Sequence, residues 1–183
     1  MGQAKQRGAR DQRMAQAKQR VNDAPRMTDP TDTLKAFQNA LRDGLFTPER
    51  CELDRELFVH LDHPNGKPRF TYVRLEGETV TSLGVFVVVE PIEGVACFHL
   101  GYAVPPVYRG HGFASDLVLA AIGEMRHGFG RAGVKNFCIE AVVGADNAAS
   151  QRVAEKIGFG EPKEITDQVR GKPALQYVLQ VNT

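Results

Sequence analysis

Between residues 70 and 104 the chain carries three runs of strand-like alternation, at 70–75, 80–89 and 96–104, joined by turns too short to hold a helix. Parallel neighbours need a connection of about a dozen residues or more, so runs spaced like these pair as an antiparallel meander. A wholly parallel, doubly wound sheet is therefore not the expected core. With 183 residues the chain is long enough for one domain with a real interior, and too short for two ordinary domains and a linker.

The flanking segments read as helices and further strands. Asp29-Pro30-Thr31-Asp32 has the form of a helix start, followed by Leu34, Phe37, Ala40, Leu41 and Leu45 at helical spacing. After the meander an amphipathic helix is expected over 114–129, with Leu117, Val118, Ala121, Ile122 and Met125 inward and Gly128 and Gly130 at its end. A strand over 134–143 follows. A second helix runs from Asn147 to a glycine stop at Gly158 and Phe159, with Ala149, Val153 and Ile157 inward. A last strand is expected over 174–181. Together these give an α/β (α+β) fold in which helices flank a mixed, mainly antiparallel sheet.

Hydrophobic residues make up 42% and charged ones 25%, which excludes a chain disordered as a whole. The 23 basic and 22 acidic residues nearly balance, which excludes a generic polyanion binder, yet they are unevenly placed. Seven basic and two acidic residues lie in the first 26 positions, so a tail of net +5 precedes a body of net −4. The tail, residues 1–27, is expected to be a flexible, solvated extension. Its charge suits weak contact with RNA or a ribosome, but it has no aromatics for base stacking. The folded domain is expected over 28–183.

No apolar run approaches the ~20 residues of a membrane span, and no apolar stretch of signal-peptide length stands at the N-terminus, so a cytoplasmic protein without membrane contact is expected. Cys51, Cys97 and Cys138 are odd in number and lack CxxC spacing, as reduced thiols do. The pair His60 and His63 has no third ligand at suitable spacing and adjoins Pro64-Asn65-Gly66, so a turn is expected there and no metal site.

The stretch from Gly101 to Ala114 reads as a strand, a short turn and a helix start. Free N–H groups at a helix N-terminus bind phosphate, and Gly110 and Gly112 would let the main chain come close to one while Arg109 adds a fixed charge. A P-loop would need Gly-Lys-Ser or Gly-Lys-Thr, where this chain has Gly112-Phe113-Ala114. A dinucleotide-binding protein would need a parallel sheet around the turn and an acidic strand end ~20 residues later. The meander and the distance to Glu140 both argue against that alternative.

Arg109-Gly110-His111-Gly112-Phe113-Ala114 does match (Q/R)-x-x-G-x-(G/A), and so resembles the pyrophosphate loop of the GNAT superfamily of acyl-CoA N-acyltransferases. About 35 residues on, the segment from Glu140 through Asn147 and Ser150 to Lys156, Gly158 and Phe159 is similar to that family's next strand and helix. The resemblance covers residues 70–181 well. In its Asn147-x-x-Ser150 form it is closest in style to members that acetylate ribosomal-protein N-termini.

The resemblance implies a sheet splayed between the strands near 96–104 and 134–143, where acetyl-CoA enters as co-substrate. By the same resemblance, backbone from Arg109 to Ala114, His111 included, cradles the diphosphate. The strand around Tyr102 to Val104 lines the pantetheine and offers an N–H to the thioester oxygen, and Asn147 holds the pantetheine arm. A primary amine, either a peptide N-terminus or a small molecule, would attack the thioester directly. A protonated amine cannot attack, so a base is needed, and Glu140 is the first candidate, with Glu90 and His99 behind it. Many members place a Tyr where Ala154 stands here, to protonate the leaving thiolate. Ser150 is the implied substitute as a donor to sulfur, with Tyr108 and Tyr177 as further donors. The rival class is a non-catalytic acyl-CoA-binding module tethered to RNA or a ribosome by the tail.

Overall fold

The computed structural model describes residues 30–167 and 171–183, so the expectation for the tail at 1–27 falls outside the described residues. Helix α1 (Pro30–Arg42) starts on a proline, carries Asp32 in its first turn and Arg42 in its last, and buries Phe37. Each charge opposes the helix dipole at its own end, and proline lacks only an N–H that a first turn leaves unbonded. Leu45, which the helical spacing grouped with Phe37 and Leu41, is 73% exposed. The helix stops at Arg42 and the chain reverses at Gly44, whose φ is +66°. Phe46 takes the inward place instead, its ring 4.8 Å from that of Phe37.

The chain continues through β1 (Glu49–Arg50), β2 (Leu57–Asp62), β3 (Arg69–Glu76), β4 (Thr79–Ile92) and β5 (Val95–Ala103). After these come α2 (Phe113–Arg131), β6 (Asn136–Gly144), α3 (Ala148–Ile157), β7 (Lys163–Thr166) and β8 (Pro173–Asn182). The strands form one sheet in the order β1-β2-β3-β4-β5-β6-β8-β7. The meander is present as β3 to β5, and β1, β2 and β7 are additions that the sequence pattern did not reveal. Every pairing is antiparallel except that of β5 with β6, which is parallel and runs only from Cys97↔Cys138 through Phe98↔Ile139 to His99↔Glu140. Beyond that last rung the two strands part.

Helices α2 and α3 cover one face, where Leu117, Val118, Ala121 and Met125 pack on Phe86, Phe98, Phe137 and Ile139. Helix α1 covers the other face, closing over Val73, Val80, Leu83 and Val85. In α3 the buried residues are Ala154 and Ile157, and Val153 packs half-buried against the same core, whereas Ala149 is exposed and faces a cleft. The glycine stop is as expected: Gly158 has φ +92°, and Phe159 folds back to give its N–H to the Ala154 carbonyl. No described helix is long and apolar enough to cross a membrane.

Two contacts fix α2, the helix whose first turn faces the cleft. The Glu124 carboxylate accepts the N–H groups of Glu52, Leu53 and Asp54 at 2.7 to 3.1 Å, tying the middle of the helix to the turn before β2. Nearer its start, α2 rests on the sheet at Gly84, where an added Cβ would lie 3.1 Å from Leu117 Cδ2. Gly84→Val should force the two elements apart and cost about 1–3 kcal/mol of stability, as overpacking of a filled core does. Urea unfolding measures this, and a variant as stable as the parent would show that the close approach is not a constraint.

Candidate functional site

The parting of β5 from β6 opens a cavity of about 640 Å³, walled on one side by the end of β5 and the turn that follows, and on the other by the first turns of α3. After β5 a single 3-10 turn at Pro106–Tyr108 aims the chain into Gly110 and Gly112, with φ of +80° and +82°. Both lie in the left-handed region, where a side chain on Cβ is strained and glycine is not. Gly112 is also the residue before α2, and no side chain caps that helix. Its first-turn N–H groups therefore face the cavity with the positive end of the helix dipole behind them. Arg109 Nε donates to the Val104 carbonyl at 2.9 Å, which braces the turn across its base.

The opposite wall begins at Asn147, whose side-chain oxygen accepts the Ser150 N–H at 3.1 Å and caps α3. Arg152 and Lys156, four residues apart on that helix, share this wall. The Lys156 ammonium lies 3.8 Å from where a Cβ on Gly112 would stand, so a lysine of α3 hangs over the uncapped start of α2. Amide donors, a dipole and two cations converge here, as anion binding requires.

Val104, Arg109, Gly110, Gly112, Phe113, Ala114, Asn147 and Ser150 all line this cavity, while His111 is exposed and is not on its wall. Tyr102, Arg152 and Lys156 belong to the wall as well and were not singled out from the sequence as side-chain contributors. The i, i+4 spacing of Arg152 and Lys156 behind the Asn147 cap was a legible signal for the two cations.

Glu140 lies elsewhere, at the last β5–β6 rung, beside His99. Its Oε2 is 3.1 Å from His99 Nδ1, and its Oε1 accepts a short hydrogen bond from Gln176 Nε2. The His99 hydrogen bond, aided by that of Gln176, holds the Glu140 carboxyl below its ordinary range although burial pushes it up. Because the folded-state value is depressed, the stability this carboxylate contributes is complete above the unfolded value near 4.5 and is lost as pH falls through the lower folded one. Glu140→Gln should accordingly melt below the parent at neutral pH, and the gap should close in acid. Thermal melts over an acidic pH series test this, and a gap that persists undiminished would locate its origin outside the carboxylate.

The remaining polar candidates differ in their settings. Glu90 is exposed on β4. Tyr108 Oη donates to Glu76 at 3.0 Å, and Tyr177 is buried against Phe159. All three cysteines are free and buried; burial pushes the Cys51 and Cys97 thiols up to about 12 and raises Cys138, so they behave as small apolar groups. The turn expected around His60 and His63 begins only at His63; His60 stands within β2, stacked on Phe46 at 4.2 Å. No group of His, Cys, Asp and Glu among the described residues is arranged to hold a metal ion.

The family model described as acetyltransferase (GNAT) domain matches residues 15–160. Similar solved structures include an acetyltransferase of the GNAT family from Streptococcus pneumoniae, 13% identical over 62% of this chain and 67% of that one, with a TM-score of 0.49. Another is a spermidine/spermine N-acetyltransferase from Vibrio cholerae in mutant forms, 18% identical over 64% of this chain and 69% of that one, TM-score 0.46. A third is the ribosomal-protein-S5-alanine acetyltransferase from Vibrio fischeri, 17% identical over 63% of this chain and 62% of that one, TM-score 0.47. No curated protein matches the chain.

Proposed function

Because the chain belongs to the GNAT acetyltransferase family, we propose that it transfers the acetyl group of acetyl-CoA to a primary amine by direct attack on the thioester. The observation that carries this reading is the uncapped start of α2 at Gly112, facing Lys156 across the cavity where β5 and β6 part. An anion end and a slot between strands suit a ligand with a diphosphate at one end and an extended arm at the other. Arg109, Gly110, Gly112, Phe113 and Ala114 would hold the diphosphate with Arg152 and Lys156, and Val104 and Asn147 would flank the arm. The β5 backbone beyond His99 is no longer in register with β6, which leaves an N–H available to the thioester oxygen as charge develops on it.

The amine must lose a proton to attack. His99 and Glu140 stand together at the vertex of the splay, and the carboxylate, kept ionised by its two partners, is better suited to orient the imidazole than to take the proton itself. In this reading His99 accepts the proton and Glu140 fixes its ring. The body of the chain is acidic, which suits a cationic acceptor. A peptide α-amine is placed ahead of a small-molecule amine on the Asn147-x-x-Ser150 form of the second motif. The test is release of free CoA from acetyl-CoA in the presence of peptides, polyamines and aminoglycosides. Turnover with one class identifies the acceptor; tight acetyl-CoA binding without turnover on any would favour the tethered binding module.

A further inference from the structure

The hydrogen bonding around Glu140 continues past its carboxylate onto β8. Gln176 stands opposite Val142 on β6, two residues beyond Glu140, and opposite Lys163 on β7. Side chains two apart on a strand share a face, so Gln176, Glu140 and His99 all project from the side of the sheet away from α2 and α3, whose core takes Ile139 and Ala141 instead. The half-buried Gln176 side chain reaches diagonally to Glu140 and donates from Nε2 to Oε1, which leaves Oε2 to His99 Nδ1. The chain Gln176–Glu140–His99 thus crosses β8, β6 and β5 at the last rung of the parallel join.

An ionised carboxylate only accepts hydrogen bonds, so at each of its oxygens the partner is the donor. For the imidazole this fixes the tautomer: Nδ1 carries the ring proton, and the lone pair is on Nε2. A carboxylate held at one oxygen can still turn about its own terminal bonds and carry the ring with it. A donor on the second oxygen, anchored in a strand that is paired on both sides, removes that freedom. Resting on the acetyl-transfer reading above, we propose that Gln176 is a positioning residue, which locks the Glu140 carboxylate so that His99 stays in its Nδ1–H form with Nε2 presented to the acceptor amine. The ammonium form of the amine gives one proton to Nε2, and its lone pair then bonds to the thioester carbon. The C–S electron pair leaves on sulfur, which takes up the second proton shed by the nitrogen, and Nε2 returns its proton to solvent while the Nδ1 proton stays in place. Gln176 is not on the cavity wall and acts only through Glu140.

Gln176→Met keeps the length of the side chain and removes the donor. In nitrogen-15 NMR above the titration of an ordinary imidazole, His99 of the parent should show a protonated Nδ1 and an unprotonated Nε2, its signals being those that His99→Gln lacks. In Gln176→Met a measurable share of the ring should pass to the Nε2–H form. In the CoA-release assay with peptides, polyamines and aminoglycosides, kcat of this variant should fall about tenfold, and KM for acetyl-CoA should stay at the parent's value. A parent ring protonated on Nε2, or a methionine variant that keeps either the parent's tautomer or the parent's kcat, overturns the proposal and leaves acetyl transfer standing. A loss carried by the acetyl-CoA KM alone overturns it as well, since a disturbed cavity gives that result. A parent that releases CoA with none of these amines overturns the acetyl-transfer reading, and this role with it.

Discussion

Gly112→Asp should bind acetyl-CoA about 100-fold more weakly than the parent while remaining folded. At φ +82° any side chain is strained by about 1–2 kcal/mol. Aspartate is also a favourable residue ahead of a helix, which offsets much of that strain. The new carboxylate would accept the N–H groups meant for a phosphate, and its Cβ would stand 3.8 Å from the Lys156 ammonium, near enough for the two charges to pair. The ligand would then have to displace an internal anion from two charge-assisted contacts, at roughly 1.5 kcal/mol each. Calorimetry with acetyl-CoA is the measurement, and Gly112→Ala is the control that carries the strain without the charge. A folded aspartate variant with parental affinity would remove this turn from the site, while equal losses in the two variants would assign the effect to backbone geometry.

The second large effect is expected in turnover. His99→Gln should lower kcat by about 100-fold or more and abolish the acidic limb of its pH dependence, the usual consequence of removing a general base. Glu140→Gln should cost less, because a glutamine oxygen can still accept the Nδ1 proton and hold the ring. The order of the two losses decides the roles. If Glu140→Gln is the more damaging and His99→Gln keeps the acidic limb, the carboxylate is itself the base. If both variants retain full activity across neutral pH, a water chain or another group accepts the proton.

Much of the fold was legible because local patterns there do structural work. The strands of the meander bury alternate residues against one helix layer or the other, so period-two apolarity is enforced, and the glycines at 110, 112 and 158 stand where φ is positive. The short strands β1 and β7 lie at the two sheet edges and alternate weakly because solvent covers part of them. Strand β2 was hidden differently: His60 is ordered by stacking on Phe46, a contact between segments that no window along the chain contains. At the site, the backbone cradle could be read from glycine spacing, since its chemistry is local. Glu140 could be picked out, but its role could not, since both its partners come from other strands.

The parallel join between β5 and β6 has a mechanical consequence. The sheet is two antiparallel blocks, β1 to β5 and β6 with β8 and β7, and the strand seam between them spans only three residue pairs, with α2 as the covalent bridge. The cavity walls divide along the same line, the glycine turn extending from the first block and α3 from the second. A ligand gripping both walls is therefore a strut across the weakest joint in the sheet. Its occupancy should slow amide hydrogen exchange at the diverging ends of β5 and β6 by more than it does at the distant β1–β2 edge, so that the co-substrate is also a removable structural member of the molecule.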